Sequence, residues 1–278
     1  MRRRSAPFPA RQQRKLTSSQ WTPTIGRMKR SGLTAAAPNL VTTGNLVVGL
    51  VSIAMSAMGH FQGAAWAIVY CGILDKVDGT LARKLGVQSQ FGMEMDSFAD
   101  YTSFGLAPAA LCWFLCTAHG IPAAPMWIWI AFCAALLPVS DAVRLARFNA
   151  CGHEDPSFFS GVPTTMMAGL IATFYLSLVD LQVSIDPAWL LPSAAVVASA
   201  LMVCRLRIPK LKGQPSRLRN VMLVSTLLGM TMIAVLQVLP EVLFCLGCVY
   251  VIGGSIRARA VNGQQSVAEV SSQPGGDL

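Results

Sequence analysis

The amino-acid sequence predicts an all-α integral membrane protein, a bundle of about eight transmembrane helices. Three observations favour this fold class. Hydrophobic residues make up 53% of the chain and charged residues only 13%, which gives a mean hydropathy of +0.52. Most apolar residues fall into long segments, and the basic residues are confined to the tails and to alternate connections between those segments. Such a composition is typical of a polytopic membrane protein rather than of a soluble domain.

Eight apolar segments are the candidate membrane spans. A helix needs about 20 predominantly apolar residues to cross the hydrocarbon core of a bilayer. We place the segments at residues 39–58, 62–85, 90–117, 125–148, 161–180, 187–206, 218–238 and 240–256. The last segment is shorter than this length, so hydropathy alone does not decide whether it crosses the membrane.

The distribution of Lys and Arg predicts the orientation of the spans, because short cytoplasmic loops carry an excess of these residues. If the N-terminus is cytoplasmic, all 22 Lys and Arg residues lie on the inner side. The outward connections, which contain none of them, are then residues 59–61, 118–124, 181–186 and the turn at Pro240. The same count favours eight spans over seven, since seven would leave Arg257 and Arg259 outside.

The spans divide the chain into a membrane domain, residues 36–258, and two tails. The first tail, residues 1–35, holds nine basic residues and no acidic one. We interpret it as a disordered cytoplasmic extension held against anionic lipid headgroups, although an organelle transit peptide has a similar composition. The second tail, residues 259–278, is polar and is predicted to be disordered and cytoplasmic. Because the net charge of +9 is divided between a tail and short loops, nucleic acid is not an expected partner.

Four aspartates around the junction of the second and third spans are the candidate functional residues. They are separated by three, eighteen and four positions and are Asp75, Asp78, Asp96 and Asp100. Since helical positions three or four apart share a face, each pair projects from one helix, and a turn near Gly86 would let the pairs face each other. Convergent carboxylates repel one another unless a cation lies among them. Every ligand is oxygen and no His or Cys stands at ligand spacing, so we expect one or two ions of Mg²⁺ or Mn²⁺.

The same stretch carries a resemblance to a known family. From Asp75 to Asp100 it reads D-x2-D-G-x2-A-R-x8-G-x3-D-x3-D, with every fixed position filled. This pattern resembles the signature of the CDP-alcohol phosphatidyltransferase family, integral membrane enzymes that move a phosphatidyl group from a CDP-linked lipid to an alcohol. The resemblance implies the fold of that family and the use of the CDP-lipid on the cytoplasmic side, where the charge count places the four aspartates.

The resemblance also implies a role for each position of the pattern. The implied metal ligands are Asp75, Asp78, Asp96 and Asp100. Asp100 is in addition the implied general base, which accepts the proton of the attacking hydroxyl, and the sequence does not separate its two roles. The implied CDP-lipid-binding positions are Asp78, Gly79, Ala82, Arg83 and Gly92. The glycines would let a nucleotide approach the backbone, while the alternative for Arg83 is a cation that snorkels to the inner membrane face.

A second group of candidate residues stands at the inward end of the fourth span, in the sequence SDAVRLARFNA. We expect Arg144, Arg147 and Asn149 to bind the acceptor or a phosphate group. The alternative is that the two arginines are ordinary positive-inside anchors. Over residues 38–213 the motifs RLARFN, GVPTT and PNLVTTGNLVVG are similar to the phosphatidylserine synthase branch of the family, with GVP where that branch more often has GLP.

The resemblance to this branch implies the partners and the location of the protein. The implied substrates are CDP-diacylglycerol and L-serine, which would give phosphatidylserine and CMP in phospholipid biosynthesis. Family members commonly form homodimers, so a second copy of the chain is an expected partner alongside membrane lipids. We expect a multi-pass protein of the bacterial cell (inner) membrane with its active site on the cytoplasmic side.

Two alternatives stay open from the sequence alone. The same reaction could use another alcohol, such as glycerol 3-phosphate or inositol, and Arg205 and Arg207 could supply the positive charge that a phosphate-bearing acceptor needs. A cation or proton transporter would also carry intramembrane carboxylates. Transporters place such groups near the midplane and often show repeat symmetry, and neither feature is visible in this sequence.

Overall fold

The computed structural model of the chain describes residues 32–85, 89–118, 123–151, 158–183, 187–204, 207–209, 228–229 and 231–271. The architecture is helical, as the sequence predicts. The helices are α1 (Gly32–Ala57), α2 (Phe61–Leu85), α3 (Gln90–Asp100), α4 (Ala107–Cys116), α5 (Met126–Cys151), α6 (Thr164–Asp180), α7 (Pro187–Val203) and α8 (Pro240–Ser271). A π-helical segment, Tyr101–Leu106, joins α3 to α4, and residues 231–236 are also helical.

The helices follow the predicted apolar segments. Each segment overlaps one continuous helical stretch, except residues 218–238, which lie largely outside the described part of the chain. Within the described residues, two helical stretches are long and apolar enough to cross a membrane, Asn39–Ala57 in α1 and Met126–Ala150 in α5. The shorter apolar helices are Thr164–Asp180, Leu190–Val203 and Pro240–Gly254.

The helix ends differ from the predicted domain boundaries. Helix α1 begins at Gly32, inside the predicted tail of residues 1–35, whose remainder lies outside the described residues. Helix α8 continues to Ser271, whereas the sequence predicts disorder from residue 259. A helix that is already nucleated gains one hydrogen bond for each further residue, and this stretch contains good helix formers such as Ala, Arg, Gln and Glu. The polar composition that indicates disorder therefore also permits an extension of the helix.

A short antiparallel ribbon departs from the all-α prediction. Its strands are β1 (Phe158–Ser160) and β2 (Arg207–Pro209), and Phe159 pairs with Ile208 at the centre. Each strand has three residues, too few for an alternating pattern to be recognised in the sequence. The ribbon connects the chain that enters α6 with the chain that leaves α7.

Helices α1 and α2 form an antiparallel pair, and their packing brings polar residues of the two helices side by side. They pack along each other and are joined by a tight turn in which Gly59 has a φ of +80°, a conformation that glycine adopts without steric cost. The backbone N–H of His60 closes the turn by donating to Met55 O at 2.8 Å. This geometry places Thr42, near the start of α1, beside Asp78, near the end of α2.

The bundle encloses an apolar core against which α1 and α2 pack. Its fully buried side chains include Ile68, Phe104, Leu111 and Leu191, which come from α2, the π-helical segment, α4 and α7. The π-helical segment is thus fixed on one side by the core, while α1, α5 and α6 also contact it. This arrangement anchors the segment that directly follows Asp100.

Helix α1 is polar on its inner face and apolar on its outer face. Its buried polar side chains are Thr42, Asn45, Ser52 and Ser56, whereas its exposed large side chains are Leu40, Val47, Leu50 and Val51. Apolar side chains are also exposed on α5, among them Ile128, Phe132 and Val139. Exposed apolar surface on this scale is unusual for a soluble monomer, and small polar residues between packed helices are common in membrane bundles.

Candidate metal and catalytic site

Three of the four motif aspartates meet between the C-terminal halves of α2 and α3. Asp75 and Asp78 project from α2 and Asp96 from α3, and each offers one carboxylate oxygen within 4.8 Å of the other two. The spacing of three residues places the first two on one helix face, as the sequence predicts. The predicted encounter between the two helices is therefore confirmed for these three residues.

Two threonine hydroxyls support the cluster from other helices. Thr42 Oγ1, on α1, donates a hydrogen bond to Asp78 Oδ2 at 3.0 Å. Thr165 Oγ1, on α6, donates to Asp75 Oδ2 at 3.3 Å. Such donors fix the orientation of a ligating carboxylate and leave its other oxygen available. The sequence analysis assigned no role to either threonine, although each lies in a quoted motif, Thr42 in PNLVTTGNLVVG and Thr165 in GVPTT.

The cluster is only weakly neutralised by the described basic side chains. Lys76 Nζ lies 3.5 Å from Asp75 Oδ2, but the Lys76 side chain is 67% exposed, and an exposed ion pair of this kind contributes little. Asp78 is 3% exposed, and its Oδ1 atom has no hydrogen-bond partner of normal geometry within the described residues. Three ionised carboxylates at this separation, one of them buried, repel one another unless a cation lies among them.

The donor set fits a hard divalent cation. Carboxylate oxygens are the ligands that Mg²⁺ and Mn²⁺ prefer, and the three aspartates supply one oxygen each within 4.8 Å. The Oδ1 atom of Asp78 has no hydrogen-bond partner in the described chain and is available as a ligand atom. Asp75, Asp78 and Asp96 could therefore hold such an ion together.

Asp100 lies close to the cluster without being part of it. It is the last residue of α3, one turn beyond Asp96, and the described group of three does not include it. Its Oδ1 atom is buried with no hydrogen-bond partner in the described chain. Electrostatic interactions nevertheless connect Asp100 with Asp75, Asp96 and Asp141. A carboxylate oxygen near the cluster and free of a donor is suited to accept a proton.

The π-helical segment after Asp100 is held by α1. Ser103 Oγ donates to Asn45 O at 3.2 Å and lies 3.4 Å from Asn45 Oδ1. One turn further along α1, a Cβ atom at Gly49 would stand only 2.5 Å from Ser103 Oγ, so the two segments approach as closely as a glycine allows. π-Helical turns often occur at functional sites. The sequence analysis missed this contact, which joins residues 58 positions apart.

The predicted CDP-lipid-binding positions are described in part. Gly79 follows Asp78 on α2 and is half-buried. A Cβ atom at Gly92 would lie 3.1 Å from both Asn39 Oδ1 and Ser89 Oγ, and Ser89 caps α3 by accepting a hydrogen bond from Gly92 N at 3.0 Å. The side chains of Ala82 and Arg83 lie outside the described part of the chain, so their predicted roles stay predictions.

The predicted acceptor residues lie on the last turns of α5. Asn149 Nδ2 donates to Ser97 Oγ at 3.2 Å, beside Asp96 on α3. Arg147 Nη1 donates to Val203 O at 3.4 Å, at the end of α7. Arg144 is half-buried and interacts electrostatically with Asp141. The structure therefore connects this end of α5 to α3 through Asn149 and to the end of α7 through Arg147.

Comparison with known proteins assigns the family. The sequence profile described as CDP-alcohol phosphatidyltransferase matches residues 35–206. The chain belongs to the CDP-alcohol phosphatidyltransferase family. The profile begins inside α1 and extends past the end of α7, so it contains all the aspartates of the cluster as well as Arg144, Arg147 and Asn149.

Several curated members of the CDP-alcohol phosphatidyltransferase family are similar to the chain. A CDP-diacylglycerol–serine O-phosphatidyltransferase of Helicobacter pylori is 32% identical over 208 residues, which are 73% of this chain and 84% of the relative. A protein of the same name from Bacillus subtilis is 34% identical over 176 residues, 63% of this chain and 90% of the relative. The archaetidylserine synthase of Methanothermobacter thermautotrophicus is 29% identical over 181 residues, 64% of this chain and 71% of the relative.

Proposed function

We propose that this protein transfers the phosphatidyl group of CDP-diacylglycerol to the hydroxyl of L-serine and releases CMP. The observation that carries the proposal is the convergence of Asp75, Asp78 and Asp96 within 4.8 Å, in a chain of the CDP-alcohol phosphatidyltransferase family. The choice of serine rests on relatives named for that acceptor. The regions that match this chain make up 84% and 90% of those relatives. The product would be phosphatidylserine, a step of phospholipid biosynthesis.

The carboxylate cluster would hold one or two ions of Mg²⁺ or Mn²⁺. Asp75, Asp78 and Asp96 are the proposed ligands, and Asp100 is a proposed additional ligand. A bound divalent cation would neutralise the diphosphate of the CDP-lipid and the charge that develops as CMP leaves. Thr42 and Thr165 would keep two of the ligand carboxylates oriented by donating to Asp78 Oδ2 and Asp75 Oδ2.

Asp100 is the proposed general base. The serine hydroxyl oxygen forms a bond to the lipid-bearing phosphorus, the bond from that phosphorus to the CMP oxygen breaks, and the hydroxyl proton passes to Asp100. CMP leaves with the electron pair of the broken bond. The buried Oδ1 atom of Asp100, which accepts no hydrogen bond from the described residues, supports the assignment because a proton acceptor needs a lone pair that is not already used.

The remaining site residues would bind the two substrates. We assign the CDP-lipid to Asp78, Gly79, Ala82, Arg83 and Gly92. We assign the acceptor or its phosphate partner to Arg144, Arg147 and Asn149. The hydrogen bond from Asn149 to Ser97 supports this placement, because Ser97 neighbours Asp96 on α3.

The proposed location is the bacterial inner membrane, with eight spans and the active site on the cytoplasmic side. Two observations support a membrane environment: α1 exposes its apolar face while burying its polar one, and two helical stretches have the length and composition of spans. The cytoplasmic assignment rests on the charge count, in which the inward ends of α2 and α5 carry Lys76 and Arg144. We include a homodimer among the proposed assemblies.

The proposed function is tested with the purified full-length protein in mixed micelles. CDP-diacylglycerol and Mg²⁺ or Mn²⁺ are supplied with labelled serine, glycerol 3-phosphate or inositol in turn. We expect labelled phosphatidylserine and equimolar CMP with serine only, and no product after chelation of the metal. If a labelled lipid formed from another acceptor, that acceptor would replace serine in the proposal. The absence of CMP release with all three acceptors would contradict the proposed reaction itself.

A further inference from the structure

A fifth aspartate lies buried at the inward end of α5, outside the family pattern. Asp141 is 0% exposed, and neither of its carboxylate oxygens has a hydrogen-bond partner within the described residues. A buried carboxyl group with no donor is costly in either protonation state, because the charge or the hydroxyl is then left unsatisfied. The described side chains therefore leave Asp141 in need of a hydrogen-bond donor.

The position of Asp141 connects it with the reacting groups. Helix α5 packs against the π-helical segment that follows Asp100, and Asp141 and Asp100 interact electrostatically. Arg144 stands one turn further along α5 and also interacts with Asp141. The carboxylate thus lies on the helix that packs against the segment after the proposed general base and also carries the proposed acceptor-binding residues.

A glycine of the π-helical segment makes room for the Asp141 carboxylate. A Cβ atom at Gly105 would stand 2.8 Å from Asp141 Oδ2, closer than two such atoms can approach. On this side the carboxylate therefore faces the backbone of the segment, with no side chain at position 105 in between. The segment that carries Gly105 starts directly after Asp100.

We propose that Asp141 binds the ammonium group of the amino-acid acceptor. An ammonium group brings one positive charge and three N–H donors, which would balance the two unpartnered oxygens of Asp141. The neighbouring arginines would bind the acceptor carboxylate in the planar geometry that guanidinium groups favour. With its two charged ends held in this way, the acceptor hydroxyl is directed towards Asp100. This inference rests on the proposed transfer to serine and names the residue that selects an amino-acid acceptor.

A metal ion is a less suitable partner for Asp141. A hard divalent cation takes several oxygen ligands, and Asp141 is not among the carboxylates that come within 4.8 Å of one another in the described chain. Arg144 follows Asp141 by one helical turn. Its positive charge disfavours a divalent cation at Asp141, but it matches an acceptor that carries a carboxylate as well as an ammonium group.

The test compares Asp141→Asn with the unchanged protein and with Asp180→Asn as a matched control. Asp180 is an exposed aspartate at the opposite end of α6 from Thr165, about 20 Å away at 1.5 Å per residue. Two acceptors are supplied, serine and 3-hydroxypropanoate, which is serine without the amino group. Asp141→Asn should raise the KM for serine by about 10-fold or more, with the KM for CDP-diacylglycerol changed less than about 2-fold. The preference for serine over 3-hydroxypropanoate should fall by a similar factor, because a site built for a hydrogen-bonding group rejects analogues that lack it.

The outcomes separate the inference from a structural role and from the proposed function. If Asp141 were needed only for packing, both acceptors would be used less well by the same factor and their ratio would not change, which would overturn the inference. An unchanged KM for serine would overturn it as well. If the unchanged protein formed no phosphatidylserine, the proposed function would fail before any variant was compared.

A second variant keeps the test decisive if Asp141→Asn does not fold. Gly105→Ala places a methyl group where it displaces the Asp141 carboxylate while retaining its charge. It should lower the preference for serine over 3-hydroxypropanoate in the same direction. Folding of each variant is followed by monodispersity in detergent, and a folded Gly105→Ala protein with the original acceptor preference would contradict the inference.

Discussion

Asp78 and Asp141 are both nearly inaccessible to solvent, but they differ in their hydrogen-bond donors and in the carboxylates around them. Asp78 is 3% exposed and Asp141 is 0% exposed. Asp78 accepts a hydrogen bond from Thr42 and lies with two other carboxylates. Asp141 accepts none from the described residues and lies opposite a glycine. Burial alone therefore does not define the role of a carboxylate. An oriented cluster indicates a metal ion, whereas a buried carboxylate without a hydrogen-bond donor in the described chain indicates a single charged donor.

The largest effect is expected from Asp78→Ala, which removes the most buried carboxylate of the cluster. Loss of one of the three clustered ligands should reduce metal-dependent activity to background, beyond the roughly 10- to 100-fold loss that follows when only a supporting residue is changed. CMP release is measured over a range of Mn²⁺ concentrations, with Asp180→Asn as the control. Activity that persisted with normal metal dependence would remove Asp78 from the ligand set. The contrast between Asp78 as a metal ligand and Asp141 would then no longer hold.

Asp100→Asn should have the next largest effect. An amide of the same shape cannot accept the hydroxyl proton, so turnover should fall by about 100- to 10,000-fold, the range typical of general acid–base catalysis. Binding of CDP-diacylglycerol should persist, because the cluster of Asp75, Asp78 and Asp96 is unchanged. Turnover is followed by CMP release and binding by equilibrium titration with the CDP-lipid. A variant with full turnover would contradict the assignment of Asp100 as the base.

Thr42→Val should weaken metal binding without abolishing the reaction. The substitution conserves the branched shape but removes the 3.0 Å hydrogen bond to Asp78 Oδ2. Losing a donor that orients a metal ligand typically costs about 10- to 100-fold in metal affinity or activity. The Mn²⁺ concentration for half-maximal activity should rise accordingly, and saturating metal should restore part of the rate. Thr43→Val is the matched control, because the Thr43 hydroxyl donates within its own helix, to Asn39 O.

Thr165→Val should have the smallest effect of the four. Its hydrogen bond to Asp75 is longer, 3.3 Å, and less buried than the bond from Thr42 to Asp78. Asp75 is also less buried than Asp78, so water can supply donors to it and its orientation depends less on one hydroxyl. We expect a shift of the Mn²⁺ half-saturation below that of Thr42→Val, of the order of 10-fold or less. A larger shift than that of Thr42→Val would reverse the ranking. It would show that burial does not determine how strongly these two hydrogen bonds affect metal binding.

The sequence predicts the parts of this site that are local in the chain. The spacing of Asp75 and Asp78 defines one helix face, and the oxygen-only donor set indicates the class of metal. The helices also follow from hydropathy, because each apolar segment is long compared with the uncertainty of its ends. Charge and periodicity are properties of short stretches, so they can be read without the fold.

The supporting contacts are not local and were therefore missed. Thr42 meets Asp78 across 36 positions and Thr165 meets Asp75 across 90. Threonine is common in membrane helices, so its presence in a motif does not identify which carboxylate it will contact. The same holds for Asp141, whose isolation from hydrogen-bond donors depends on how α5 packs against the π-helical segment. Whether Asp100 binds a metal, accepts a proton or does both also depends on distances that spacing does not supply.

The contacts of α1 have a consequence for the biogenesis of this protein. Thr42 and Asn45 lie one turn apart on the same face, and they touch α2 and the π-helical segment respectively. A nascent chain that ended after Asp100 would contain all four motif aspartates but not Ser103 or Thr165. Such a truncated product would carry the complete signature and the contact from Thr42, but it would lack the contacts from Ser103 and Thr165. The full set of supporting contacts is therefore present only after α6 has been inserted.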